Sequence, residues 1–284
     1  MIDPAWIALS LIDRVGRRTL DALSAAFHND LHAVLAADPH DLQKVPGVGP
    51  KIARSIRAVN LDQVEAGIAR WQQHGVRILT LRDADYPRRL RPLADAPPTL
   101  FATGQLDKGR YNNRPCAAII GTRQPTAAAR HAAQELALRL AERGYTIVSG
   151  LAYGIDHTAH QSALALPSGT TLAVLGCGVL NIYPAQHQEL ARAIMGRGLV
   201  LSECHPDAPP GPSALVARNR IITGLSDAVI VVETSTEGGA MHAARFASQQ
   251  GRTLYALDYP ASGNRALIEA GAIPLPADLR DLPF

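Results

Sequence analysis

The sequence has 284 residues, 47% of them hydrophobic and 19% charged, with 28 Lys and Arg against 25 Asp and Glu. That composition suits about two folded domains and excludes a disordered chain or a collagen-like fibre. It also excludes a helical membrane protein, because no apolar run approaches the ~20 residues that a spanning helix needs. The opening MIDPAWIALSLIDRVGRR has no basic leader and sets Asp3 and Asp13 beside a short apolar stretch, so no signal peptide is expected. Cys116, Cys177 and Cys204 are odd in number and far apart. They support neither a disulfide framework nor a zinc ribbon, and a reducing cytoplasm is the expected location.

Residues 1–75 read as a small helical domain, with Ile7, Leu11, Ile12 and Val15 spaced for one helical face and no strand in evidence. Within it, Pro46-Gly47-Val48-Gly49 interrupts two helical stretches, and the second helix is expected to start at Pro50-Lys51. Gly47 and Gly49 allow positive φ and close approach of another molecule, while Lys51 and the helix N-terminus present positive charge to a phosphate. With Val45, Ala53 and Ile56 at the apolar positions, the segment resembles a helix-hairpin-helix DNA-binding motif. The alternative is a hairpin used only for packing.

Residues 76–284 form the second expected domain. Two extended runs, Val76–Leu81 and Thr99–Thr103, are punctuated by prolines in a linker-like segment, and residues 76–115 hold eight basic against four acidic side chains. From Cys116 onward, six apolar runs (CAAIIG, YTIVSG, TTLAVLG, GLVLSE, AVIVVET and RTLYALD) alternate with amphipathic stretches. That alternation predicts an α/β fold, a parallel sheet covered on both faces. Ligands of such sheets bind in the loops at the carboxyl ends of the strands.

Those loops contain few strong signals. Gly121-Thr122-Arg123 follows the first run and offers backbone N–H, a hydroxyl and a guanidinium to one phosphate. Ser149, Gly150 and Gly154 permit close approach of a ligand, and Asp156 reads as the cap of the next helix, with His160 one turn further. Arg218, Asn219 and Arg220 open a helix, against the dipole preference, which a nearby anion or a surface salt bridge would explain. Gly176-Cys177-Gly178 lacks the third glycine and ribose acid of a dinucleotide fingerprint, and GxxxxGK[ST], HExxH and GxSxG are absent. No catalytic residues, metal or cofactor are expected.

In order, GTR, SGLAYGIDHTAHQSAL, TLAVLGCGVLNIYP, GLVLSE, RNRIITGLS, VVET, EGGAMHAARFA and LIEAGA resemble the DNA-processing protein A (DprA/Smf) family over residues 76–273. The resemblance implies an extended Rossmann-like fold and a non-enzymatic protein that binds and protects single-stranded DNA and loads it onto RecA recombinase during natural transformation. It implies a DNA pocket built on Arg123, supported by Gly150, Gly154, Arg218, Asn219 and Arg220, and a homodimer joined through the C-terminal part of the domain. A weak duplex contact through the N-terminal hairpin is also expected. Ala185 replaces a lysine common after Tyr-Pro, Leu215-Val216 replaces a Phe-Pro, and Asp258-Tyr259-Pro260 replaces a Pro-Gly. These departures imply a weaker or differently tuned grip. Many members continue into a winged helix, and none is expected here, where the sequence ends at Phe284.

Two other functions compete. A nucleotide phosphoribohydrolase carries a PGGxGTxxE loop. Aligned on Gly238-Gly239, that loop puts His242 and Arg245 at its Thr and Glu positions and leaves Glu233 or Glu237 as substitute carboxylates. A nucleotide-sensing module would bind a mononucleotide with little preference for oligomers.

Overall fold

A computed structural model describes residues 2–105, 110–279 and 282–283. Six helices fill the N-terminal region as expected: α1 (Pro4–Ser10), α2 (Arg17–Ala26), α3 (Leu31–Ala36), α4 (Pro39–Leu42), α5 (Pro50–Arg57) and α6 (Leu61–Gln73). Their starts follow local chemistry. The side chains of Asp3, Asp30, Asp38 and Asn60 accept hydrogen bonds from the first free backbone N–H groups of α1, α3, α4 and α6. Leu20, Leu23, Val34, Leu42, Val45, Val48, Ala53 and Ile56 turn inward to one core.

That core does not stop at residue 75. It continues into Phe101, Leu151, Leu175 and Val200. The Trp71 ring meets Phe101 edge-on at 5.5 Å, and the Trp6 indole N–H reaches Pro98 O and Thr99 Oγ1, both at 3.2 Å.

Among the described residues, nine strands form one sheet: β1 (Arg77–Thr80), β2 (Thr99–Thr103), β3 (Cys116–Ile120), β4 (Thr146–Ser149), β5 (Thr170–Val174), β6 (Leu199–Ser202), β7 (Ala228–Val231), β8 (Thr253–Leu257) and β9 (Ile273–Leu275). Their order is β1-β2-β6-β5-β4-β3-β7-β8-β9. β3 to β9 pair in parallel, whereas β2 runs antiparallel to both β1 and β6. The six expected runs are the six strands β3 to β8. The linker-like reading of residues 76–115 is corrected, because its two extended runs are sheet members. Ile273–Leu275 supplies the further strand β9, with Leu275 buried and Ile273 46% exposed.

Helices α7 (Arg110–Asn113), α8 (Ala127–Glu142), α9 (Ile155–Ala165), α10 (Gln188–Arg197), α11 (Pro212–Ala217), α12 (Asn219–Gly224), α13 (Ala240–Gln249) and α14 (Ser262–Glu269) complete the chain. Alternation along the strands divides the core. Ile119, Ile147 and Ile230 face α8 and α9, while Ala118, Val148 and Val229 face α12 and α13. This is the covered parallel sheet of the α/β class. Among the described residues, no helix is long and apolar enough to cross a membrane.

Candidate nucleic-acid interface

The chain leaves β3 toward β4, β5 and β6 on one side and returns to β7 on the other. Open α/β sheets bind ligands at such a switch point, where neighbouring loops diverge and leave a crevice. A cavity of about 430 Å³ lies there, lined by Gly121, Thr122, Arg123, Asp156, Arg218, Asn219, Gly238 and Gly239 among others.

The loop after β3 is stitched to its neighbours. Thr122 N donates to Glu233 O at 2.7 Å, and Ile155 N donates to Thr122 O at 3.2 Å. Gly121 is needed because a Cβ there would lie 2.6 Å from Ile155 Cγ1. Thr122 Oγ1 accepts from Gln124 N at 3.2 Å, so its proton is free for an anion. Arg123 is exposed, and among the described residues its guanidinium has no hydrogen-bond or ion-pair partner.

Behind it lies a buried ion pair. Asp156 and Arg218 are each 6% exposed, with Oδ2 and Nη2 3.8 Å apart. Arg218 Nη1 also donates to Gly150 O and, at 2.6 Å, to Val174 O. Burial lowers the Arg218 pKa below its ordinary value; Asp156 opposes the shift, and the charge of Arg123 adds to it. Two guanidiniums thus line this end of the cleft with one carboxylate, which pairs with Arg218 alone, and the excess charge is positive.

Asp156 does not cap its helix as expected. Gly154 is the N-cap, and the carboxylate reaches back to accept from Gly150 N and Ala152 N, both at 3.2 Å. It fixes the loop that precedes α9. The glycines of that loop make room for protein instead of ligand. A Cβ on Gly150 would fall 1.7 Å from Arg218 Nη1, and one on Gly154, at φ +74°, would fall 2.4 Å from Thr122 O. Ser149 is fully buried and donates to Ile119 O at 2.7 Å, so it does not face the cleft.

Gly121, Thr122, Arg123, Arg218 and Asn219 therefore meet at the cavity, with Gly150 on an adjoining groove. Ser149, Gly154 and Arg220 do not line it. Arg220 points elsewhere, to Glu203 Oε2 and, at 3.9 Å, to Asp95 Oδ2. Neither substitute carboxylate enters the cleft either. Glu233 accepts from Thr126 N at 2.8 Å, and Glu237 is exposed outside. The lining glycines Gly238 and Gly239 stand in the family-like run EGGAMHAARFA and in the hydrolase alignment but not among the expected DNA-binding residues, although they follow the carboxyl end of β7 and the strand-end rule reaches them.

His160 is fully buried, and burial lowers its pKa to about 3. Thr171 Oγ1 donates to Ile147 O, so His160 Nδ1 is the donor in its 2.6 Å contact with Thr171. Among the described residues Nε2 has no hydrogen-bond partner. The three cysteines are free, and burial pushes Cys116 and Cys177 up to about 11, away from thiolate chemistry.

The hairpin of residues 45–51 forms at the surface. Gly47 takes φ +85°, but Gly49 is extended at φ −87°, so only the first glycine needs its special freedom. Gly47, Gly49 and Lys51 are exposed while Val45, Val48, Ala53 and Ile56 are buried. Lys51 Nζ sits 3.6 Å from Asp13 Oδ2.

Fold and cleft together define a Rossmann-like protein with an arginine-lined switch-point crevice. Residues 77–281 match the family described as DNA recombination-mediator protein A, and the chain belongs to that family. Residues 7–58 match the SAM-like helix-hairpin-helix tandem. Protein Smf of Synechocystis is 38% identical over 255 residues, covering 89% of this chain and 63% of its own, so this chain spans less than two thirds of that relative. DNA processing protein DprA of Bacillus subtilis is 35% identical over 72% of this chain and 70% of its own. The crystal structure of DprA from Streptococcus pneumoniae matches with a TM-score of 0.79 at 27% identity, over 96% of this chain and 94% of its own. DNA processing protein A of Helicobacter pylori, described for a unique single-stranded DNA binding mode, matches with a TM-score of 0.63 at 33% identity, over 70% of this chain and 91% of its own.

Proposed function

We propose that this protein binds single-stranded DNA without sequence preference in the switch-point cleft and delivers it to a RecA recombinase during natural transformation in the cytoplasm, acting by binding and not by catalysis. The observation that carries the DNA-binding step is the exposed, unpartnered Arg123 guanidinium beside the free Thr122 hydroxyl, backed by buried Arg218. Such a cluster meets a backbone phosphate with charge, a side-chain donor and fixed geometry. Family membership and the single-strand binding described for the Helicobacter pylori relative favour DNA over a free nucleotide.

Within this proposal, Gly121, Thr122, Arg123, Arg218 and Asn219 contact the strand, Gly150 and Gly154 shape the loops, and Arg220 acts from outside the cavity. Residues 1–75 form a helical unit whose Gly47, Gly49 and Lys51 add a weak duplex contact; equal duplex affinity in Lys51→Glu would remove it. Two copies pair along the β9 edge of the sheet, where Ile273 is exposed. A sedimenting species at 30.2 kDa alone would remove the pair.

The test of the central step is Arg123→Ala titrated with oligothymidylate across a salt series. Affinity should fall alike for all single-stranded sequences, with the salt slope smaller by about 0.7, the contribution of one single-strand phosphate. An unchanged affinity and slope in the folded variant, or a mononucleotide bound as tightly as the oligomer, overturns it.

A further inference from the structure

Two large aromatic side chains stand out of the surface beside the cleft, Tyr153 at 41% and Tyr183 at 40% exposure. They belong to different loops, one after β4 and the other after β5, yet both line a narrow groove with Arg123, Gly150, Leu215 and Arg218. Arg123 and Arg218 also line the larger cavity, so the groove is its continuation. Isolated exposed apolar residues are ordinary on a protein surface. Two tyrosines converging on one groove beside an unpartnered guanidinium are a different arrangement.

The Tyr153 ring is also held in place. Its hydroxyl donates to Gln186 Oε1 at 2.6 Å. The ring meets that of His187 at 4.8 Å and a steep 67°, and His187 Nδ1 donates to Leu151 O at 2.8 Å. Gln186 belongs to the same turn as Tyr183, so the segment that presents one tyrosine fixes the other. Rotamer entropy that a free surface tyrosine would lose on binding is already lost here, which is the condition for a preorganised contact surface.

We propose that Tyr153 and Tyr183 form a base-stacking platform for the nucleotide whose phosphate rests on Arg123. This deepens the single-strand proposal above and depends on it. Aromatic faces beside a cationic groove suit single-stranded nucleic acid, because every base has a π-face and the contact needs no sequence. Bases within a duplex are already stacked and paired. Reaching the platform from a duplex would require opening it, and the platform therefore gives the cleft a physical reason to prefer single strands.

The experiment compares oligothymidylate with an abasic tetrahydrofuran oligomer of equal length, by fluorescence anisotropy, on the full chain. Stacking is worth roughly 5- to 150-fold per base. The wild-type protein should bind oligothymidylate tighter than the abasic strand by a factor in that range. The Tyr153→Ala/Tyr183→Ala double variant should bring the ratio close to one, whereas Tyr153→Phe/Tyr183→Phe should keep it. A 2-aminopurine in the oligomer should be quenched by the wild-type and Phe proteins and not by the Ala variant. A ratio near one in the wild type, or an undiminished ratio in the folded Ala variant, overturns the platform. Arg123→Ala separates the two proposals: it should weaken both strands equally and leave their ratio intact. If the wild-type protein binds neither strand, or Arg123→Ala changes neither affinity, the single-strand proposal fails and the platform with it.

Discussion

Replacing Asp156 by alanine tests whether the cleft is built around its buried ion pair. The carboxylate accepts from two backbone N–H groups at 3.2 Å and faces Arg218 Nη2 at 3.8 Å, with both side chains almost wholly buried. Its removal leaves a buried cation without its counter-charge and two N–H groups without acceptors. Breaking a buried pair from one side costs about 3–5 kcal/mol. The lower end applies here, because Arg218 keeps the carbonyls of Gly150 and Val174 and water can enter the vacated space. About 3 kcal/mol is a large share of a total stability of about 5–15 kcal/mol. At about 2–4 °C per kcal/mol for a chain near this size, the melting temperature should fall by about 6–12 °C. Asp156→Asn keeps the acceptor and the shape, and should lose about half as much. Urea unfolding at pH 7, with thermal melts alongside, measures both. Freed from its counter-ion, Arg218 should serve a phosphate at least as well, so DNA affinity of the folded protein should hold or rise while stability drops. An Asp156→Ala protein within about 1 kcal/mol of wild type would refute the argument, since a solvated guanidinium would then need no carboxylate.

Gly154→Ala combines a φ of +74° with a Cβ 2.4 Å from Thr122 O, whereas Gly251→Ala meets only a φ of +65° in open space. Urea midpoints should place the first cost, about 3 kcal/mol or more, at twice the second or above; equal costs would mean that the loops do not pack as described. His160 titrates near 6.5 unfolded but about 3 folded. The folded state thus binds fewer protons, and the resulting stability is full above pH 6.5 and is lost as the pH falls toward 3, at about 1.4 kcal/mol per unit. Going from pH 6.5 to pH 5 should cost about 2 kcal/mol through this residue. His160→Phe should reduce the slope by one proton even if the variant is less stable, and an unchanged slope would refute the assignment.

What the sequence made legible follows from the range of each signal. The strands β3 to β8 are local: each is a short apolar run bounded by a turn residue, and burial on both faces removes any need for alternation. β1 and β2 were readable as extended runs, but their place in the sheet depends on β2 meeting β6 far along the chain. β9 is three residues long and contains Pro274, too little for a local pattern. In the site, Arg123 was legible because a guanidinium after a strand-end glycine has nowhere apolar to go. The RNR motif misled for a geometric reason. Residues two apart on a helix point about 200° apart, so Arg218 and Arg220 do not face one cleft. Ser149 stood at a strand end, yet the alternation of β4 turned its hydroxyl inward to Ile119. The carboxylate of Asp156 sits where a cap is expected, and only the fold of the preceding loop reveals its partners.

The switch point also orders events in time. Its first wall, Gly121 to Arg123, leaves the ribosome early, but the opposite wall, Gly238 to Gly239, arrives only after the chain has travelled out to β6 and come back. Ile119 cannot find its neighbour Ile230 until β7 exists. A nascent chain or a fragment cut before that strand would hold helices and six of the nine strands, and no crevice. Long-range pairing of this kind is slow to form. Under the single-strand proposal, affinity for a strand therefore requires the chain to be made and folded at least as far as Gly239, and copies cut before β7 would not compete for DNA with longer ones.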